Sequence, residues 1–321
     1  MKLPDLTSLE EAAAAVYEAM PPTPQYSWPL LNQDMGTELW LKHENHTPIG
    51  SFKIRGGLTY FEALRRDHPA LEGVITATRG NHGQSVALAA QRYGLKAVVV
   101  APVGNSREKN EAMRARGVEL IEYGNDFQDA LEQAEKLSKQ RGLHWVPSFH
   151  TSLMKGVASY SLELFRSVPD LDVLYVPIGL GSGICGAISA REALRLRTEI
   201  VGVVSEAGRA YADSFAARAP VSRTVAPTIV DGMACRVPNE EALAIILAHA
   251  SRVITVSERE IRAAMRRIYT ATHNVAEGAG AAALAAAFQE RARLRGRRVA
   301  AVLSGSNVDR NLFREALAEN D

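Results

Sequence analysis

Short apolar runs rich in β-branched residues recur along this chain, and each hands over to a stretch with helical character. GVITAT (Gly73–Thr78) precedes HGQSVALAAQRYG, KAVVVAP (Lys96–Pro102) precedes SREKNEAMRARG, and GVELIEYG (Gly117–Gly124) precedes DFQDALEQAEKLSKQRG. LDVLYVPIG (Leu171–Gly179), EIVGVVSE (Glu199–Glu206), RVITVS (Arg252–Ser257) and RRVAAVLSG (Arg297–Gly305) repeat the arrangement. Runs that are apolar almost throughout suit strands covered on both faces. The strand-then-helix order predicts parallel sheets joined by right-handed crossovers. At 321 residues, 46% of them apolar, the chain can fill two lobes or one large α/β unit. A break near Pro147–Thr151 is a candidate lobe boundary.

Charge and cysteine usage exclude several function classes. Net charge is +1, from 37 basic and 36 acidic residues. The basic stretch RARLRGRR (Arg291–Arg298) reads as a solvated helix end and turn, because nucleic-acid binding asks for a wider basic surface. The two cysteines, Cys185 and Cys235, form no CxxC pair and no Cys/His cluster of zinc spacing. Free thiols in a cytoplasmic protein are therefore expected. The N-terminal MKLPDLTSLEEAAAAVYEAM carries acids and no apolar signal core, and no stretch is long and apolar enough to span a membrane. The chain ends soon after its last strand run, so no C-terminal regulatory module is expected.

Open parallel sheets bind ligands beyond the carboxyl ends of their strands, and three such ends carry unusual residues. In VPIGLGSGICG (Val176–Gly186) a strand runs into Gly179, Gly181 and Gly183 before a helix begins. Small residues there let backbone N–H groups approach an anion at a helix N-terminus, which predicts phosphate binding. Gly181 to Gly186 also match GxGxxG, and Glu206 stands twenty residues beyond Gly186, so a nicotinamide dinucleotide is the rival ligand. In TATRGNHGQS (Thr76–Ser85) the strand stops at Thr78, Gly80 permits a sharp turn, and Asn81 and His82 open a helix. Asn81 reads equally as an anion-binding donor and as an ordinary N-cap. His82 taken alone reads as a surface residue of the first helical turn. In VLSGSNVD (Val302–Asp309) Ser304 sits at a strand end, where a hydroxyl meets either a ligand or its own turn.

One lysine stands apart. In HTPIGSFKIRGG (His46–Gly57) Lys53 lies between Phe52 and Ile54, in a turn-like setting with glycines on either side. A lysine can bury its stem and keep its head in water. It can also be desolvated so that a neutral amine attacks a carbonyl. Lys53 alone does not decide between these.

SFKIRGG, GNHGQS, the PIGLGSG loop and LSGSNVD together resemble the pyridoxal-phosphate-dependent serine/threonine dehydratases, in the same order and at similar spacing, from about His43 to Asp309. The resemblance implies a two-lobed, tryptophan-synthase-β-like architecture (PLP fold type II), an α/β fold with parallel-rich sheets covered by helices on both faces. Residues 1–72 plus 150–321 would form a large cofactor-binding domain, and 73–149 a small domain closing over the substrate. Lys53 is implied to form the Schiff base with pyridoxal 5'-phosphate and to act as the catalytic base. Phe52, Asn81, Gly179, Leu180, Gly181, Ser182, Gly183, Gly232 and Ser304 would contact the cofactor. Ser51, Thr78, Arg79, Asn81, His82 and Glu277 would surround the substrate. The implied reaction is dehydration and deamination of a β-hydroxy-L-amino acid, L-threonine or L-serine, to a 2-oxo acid and ammonia, as in an ammonia-lyase of amino-acid catabolism. A homodimer is implied, and feedback inhibition by isoleucine is not expected.

Four positions depart from the resemblance. Arg79 stands where a serine serves racemases, which argues against racemisation; it reads equally as facing solvent and as meeting an anionic or bulky β-substituent, with 3-hydroxyaspartate or β-phenylserine as alternative substrates. Leu180 and Ser182 stand where relatives often have glycine, which a backbone cradle tolerates if neither needs positive φ. Ala212 occupies the place of an acidic ligand to a divalent cation, so no metal is expected. A nicotinamide-dependent oxidoreductase and a non-catalytic amino-acid-binding protein are the readings of other classes.

Overall fold

The computed structural model describes residues 3–226 and 228–319. Ten strands form its two sheets: β1 (Gln25–Ser27), β2 (Leu39–His43), β3 (Gly73–Ala77), β4 (Lys96–Ala101), β5 (Glu119–Glu122), β6 (His144–Trp145), β7 (Val173–Pro177), β8 (Glu199–Ser205), β9 (Arg252–Val256) and β10 (Val299–Leu303). The larger sheet runs β1-β2-β10-β7-β8-β9 and the smaller β5-β4-β3-β6. Every pairing is parallel except β1 with β2. Central strands β3, β7 and β10 are buried at every residue, as their unbroken apolar sequences require. The Ala-rich helix Gly278–Gln289 lies against the larger sheet with its alanines fully buried.

Glycines set how closely the helices around Lys53 approach. A Cβ at Gly56 would come within 2.7 Å of the Leu153 carbonyl oxygen, and one at Gly57 within 2.3 Å of Ser85 Oγ. The pair after Lys53 thus serves the packing of helix Lys53–Asp67 on helices Thr151–Ser167 and Asn81–Arg92. Gly186, the last glycine of the GxGxxG pattern, is likewise a contact residue: its Cβ would stand 3.0 Å from the Ala158 nitrogen in helix Thr151–Ser167.

Beneath Lys53 lies a buried ionic knot. Arg55 Nε donates to Glu44 Oε2 at 2.6 Å, and its Nη1 donates to Glu163 Oε1 at 2.7 Å and Ser159 Oγ at 2.8 Å. Lys42 reaches the other oxygen of Glu163 at 2.5 Å. Strand β2, the helix of Lys53 and helix Thr151–Ser167 are tied together at this point. Among the described residues, no helix is long and apolar enough to cross a membrane.

Candidate active site

The three strand-end loops singled out in the sequence converge on Lys53. Lys53 is the first residue of helix Lys53–Asp67 rather than part of a turn, and Phe52 precedes it as N-cap. The Phe52 N–H donates to the Ser304 carbonyl at 3.1 Å, and Ser51 bridges Gly305 in antiparallel fashion, so this corner is bolted to the end of β10. Lys53 Nζ lies 3.3 Å from Ser182 Oγ and 5.1 Å from the Phe52 ring centroid. No carboxylate among the described residues pairs with it. Burial pushes its amine down to about 8. The snorkelling alternative is therefore set aside, and a reactive neutral amine is within reach near neutral pH.

Ser182 begins helix Ser182–Ala193, and the loop before it is a cradle of unpaired donors. Among the described residues, no acceptor takes up the N–H groups of residues 179–184, which precede or begin the helix. Gly181 has φ +102°, while Leu180 and Ser182 avoid positive φ, so both departures from glycine fit. A Cβ at Gly179 would stand 2.4 Å from the Gly232 carbonyl oxygen, and one at Gly181 would lie 2.6 Å from Ala242 Cβ. The Tyr211 hydroxyl donates to the Leu180 carbonyl at 3.0 Å and holds the loop from behind. Gly183 sits over Tyr160, whose hydroxyl donates to its carbonyl at 3.1 Å.

Across the cleft, helix Asn81–Arg92 starts from Gly80, and Thr78 supplies the cap. Thr78 Oγ1 accepts the N–H groups of Gly80 at 2.9 Å and Gly83 at 3.2 Å. The N-cap reading of Asn81 is thus incorrect: its amide is free to donate to Glu277 Oε1 at 2.5 Å and its carbonyl accepts from Asn307 at 2.7 Å. The surface reading of His82 is also incorrect. His82 is buried, its Nε2 has no partner, and burial followed by the nearby Lys53 charge pushes it down to about 3, so it is neutral. Ser51 Oγ is buried without a partner. Ser304 Oγ donates to the Ala279 carbonyl at 3.3 Å. Arg79, partly exposed, has no hydrogen bond or ion pair among the described residues.

Lys109 and Asp231 also belong to this cleft, although neither lies in one of the motifs singled out above. Lys109 Nζ lies 2.8 Å from Asp231 Oδ2 and 3.1 Å from Glu277 Oε2. Burial works against its charge, but Glu277 and Asp231 outweigh burial and its pKa is raised. Burial pushes the Glu277 carboxyl up, with Lys109 opposing. The available signal was spacing: Lys109 stands four residues before buried Met113, on the inner face of its helix. Asp213, beside Ala212, is occupied by Arg209 and Arg223, and among the described residues no cluster of three or more potential metal ligands occurs.

A partly buried lysine without a carboxylate partner faces a row of unpaired backbone donors at a helix N-terminus. That set fits a small ligand bearing both a phosphate and an aldehyde, which defines a class of lysine-dependent α/β enzymes with the cleft between two parallel sheets. The chain belongs to the pyridoxal-phosphate dependent enzyme family, whose model matches residues 16–305. It is 33% identical over 299 residues to the biosynthetic L-threonine dehydratase of Escherichia coli, covering 92% of this chain and 58% of that protein. It is 32% identical to the L-threonine ammonia-lyase of Thermotoga maritima, covering 88% and 71%. The processed form of threonine deaminase isoform 2 from Solanum lycopersicum superposes with a TM-score of 0.90 at 28% identity, covering 99% and 95%. The chain spans about three-fifths of the length of several curated relatives it matches. The family match replaces the nicotinamide reading of the GxGxxG pattern.

Proposed function

We propose that this protein is an ammonia-lyase that removes water and then ammonia from a β-hydroxy-L-amino acid, L-threonine or L-serine, yielding a 2-oxo acid. The observation that carries this reading is Lys53: a partly buried amine without a carboxylate partner, 3.3 Å from Ser182 at the mouth of the donor cradle. Pyridoxal phosphate supplies an electron sink for the pair left when Cα loses its proton. The N–H groups of Gly179, Leu180, Gly181, Ser182 and Gly183 would hold its phosphate, with Gly232 against the same loop and Phe52 beside the ring. Asn81 would face the ring hydroxyl and Ser304 the ring nitrogen. A neutral hydroxyl there does not hold a full positive charge on the nitrogen, which suits elimination over transamination.

Lys53 accepts the Cα proton in its neutral form, which burial makes available near neutral pH. Ser51, Thr78, Asn81 and His82 would bind the substrate carboxylate, chiefly through N–H groups at the start of helix Asn81–Arg92. The β-hydroxyl leaves as water, and hydrolysis of the enamine product returns one water and releases ammonia. In this reading the segment 73–149 closes on the rest of the chain and excludes solvent. The protein acts in the cytoplasm, in amino-acid catabolism, as a homodimer.

The unpartnered guanidinium of Arg79 supports a second substrate, 3-hydroxyaspartate, whose extra carboxylate it would pair with. The test is a panel of L-threonine, L-serine, 3-hydroxyaspartate and β-phenylserine, with 2-oxo acid and ammonia measured together. Equal amounts of 2-oxobutanoate and ammonia from L-threonine support the main reading. Preference for 3-hydroxyaspartate that disappears in Arg79→Ser supports the second. No 2-oxo acid from any of the four overturns both.

A further inference from the structure

We propose that Lys109 is a positioning residue, a latch that holds the four-stranded unit against the six-stranded one and fixes the two faces of the cleft relative to each other. The role rests on the ammonia-lyase reading of the cleft. Lys109 lies in the first turn of helix Arg107–Arg114, which follows β4. Its stem passes over Gly80, where a Cβ would stand 2.3 Å from Lys109 Cδ. Gly80 has φ +154°, so the absence of a side chain there serves both the turn and the passage of the lysine. The side chain is 7% exposed.

The ammonium then meets two carboxylates of the other unit. Asp231 precedes Gly232, whose carbonyl presses on Gly179 in the donor cradle. Glu277 accepts from Asn81 at the opposite wall. One cation therefore touches the immediate neighbours of the phosphate loop, the Asn81 loop and the Glu277 wall. Apolar packing of Phe61 and Leu153 against Val74 and Val86 also joins the units, and several other polar contacts across the seam carry less charge or less shielding than those of Lys109. Asn307 to Asn81 and Arg310 N–H to Glu108 are single hydrogen bonds, Ser106 bonds Asp309, and the Arg92–Glu18 pair is exposed. Among the described residues, the buried ion pairs joining the two units are those of Lys109.

Without the ammonium, Glu277, whose carboxyl burial and Asp231 already push up, takes up a proton, Asp231 is left without its buried cation, and the ionic bridge between the two units is lost. The closed cleft then becomes a minor state that substrate must pull shut. Apparent affinity falls by the fraction closed, while saturating substrate restores much of the rate. A role confined to global stability would lower the active fraction, which reduces kcat and leaves KM alone.

The experiment is Lys109→Met in the enzyme reconstituted with pyridoxal phosphate, with steady-state kinetics and hydrogen exchange without substrate. The expected result is a rise in KM, with kcat/KM falling about a hundredfold. Amide exchange should speed up at residues 78–85 and 231–233 but not in β7 or β10. Lys109→Arg, which keeps a cation able to bridge two carboxylates, should recover part of the loss. Unchanged KM and unchanged exchange at those segments would overturn the latch, as would a uniform acceleration along the whole chain. If Lys109→Met fails to fold, Asp231→Asn takes its place, with the same direction expected and the same unchanged result fatal. A wild-type enzyme that makes no 2-oxo acid would sink the ammonia-lyase reading alone, since the exchange comparison still judges the latch.

Discussion

Replacing Arg55 by Met tests whether the ionic knot beneath Lys53 holds the site together. Arg55 is fully buried and its donors reach Glu44, Glu163, Ser159 and the Thr23 hydroxyl. Methionine fills much of the volume but leaves Glu44 without its cation, while Lys42 still serves Glu163. Removing one partner of a buried pair costs roughly 3–5 kcal/mol, mostly as an uncompensated buried charge. A chain of this size would lose on the order of 10 °C in Tm. The loss has a defined pH dependence. Burial tends to raise the Glu163 carboxyl, but Arg55 and Lys42 outweigh it, so its folded pKa is lowered. Its stabilisation is present above the unfolded carboxyl range and is lost as pH falls through the folded value. In the variant Glu163 loses the Arg55 charge and takes up a proton more readily, so the deficit is largest at neutral pH and narrows toward acid. Thermal melts of wild type, Arg55→Met and Arg55→Lys across that range provide the assay. Arg55→Lys should fall between the others, because it keeps the charge and loses the fork. An Arg55→Met variant within about 1 kcal/mol of wild type at neutral pH would refute the reasoning, because surface substitutions alone produce changes that small.

Gly179→Ala brings a Cβ to 2.4 Å from the Gly232 carbonyl, a backbone clash that no side-chain rotation relieves; we expect weakened cofactor retention with little change in secondary structure, measured by dialysis and circular dichroism. Because the Lys53 amine is pushed down to about 8, cofactor capture by the apoenzyme should speed up as pH rises and level off above about 8. Stopped-flow absorbance measures it, and a flat profile through that range would mean the amine is not the limiting group.

The strands of the core were legible because both their faces are covered, which leaves an unbroken apolar run in β3, β4, β7, β8 and β10. Strand β2 was not, because Lys42 sits inside it, and its buried charge is met by Glu163, more than a hundred residues away. Strand β6 is two residues long and carries no pattern of its own. The loops near Lys53 announced themselves by glycine and strand-end placement. The environment of His82 did not, because the groups that meet its ring, the Lys53 amine and the Val146 backbone, are distant in sequence. Lys109 and Asp231 were missed for the same reason, since an ion pair 122 residues apart leaves no local trace. The capping role of Asn81 was misread because Thr78, three residues upstream, already occupies the donors.

In the proposed function Lys53 is the residue that holds the cofactor. The most direct measurement is borohydride reduction of the protein loaded with pyridoxal phosphate, followed by proteolysis and mass spectrometry to locate the attached group, with Lys53→Ala treated in parallel. One modified lysine, Lys53, is expected, with no specific attachment in the variant. Attachment at another lysine, or equal labelling of the variant, would contradict that role.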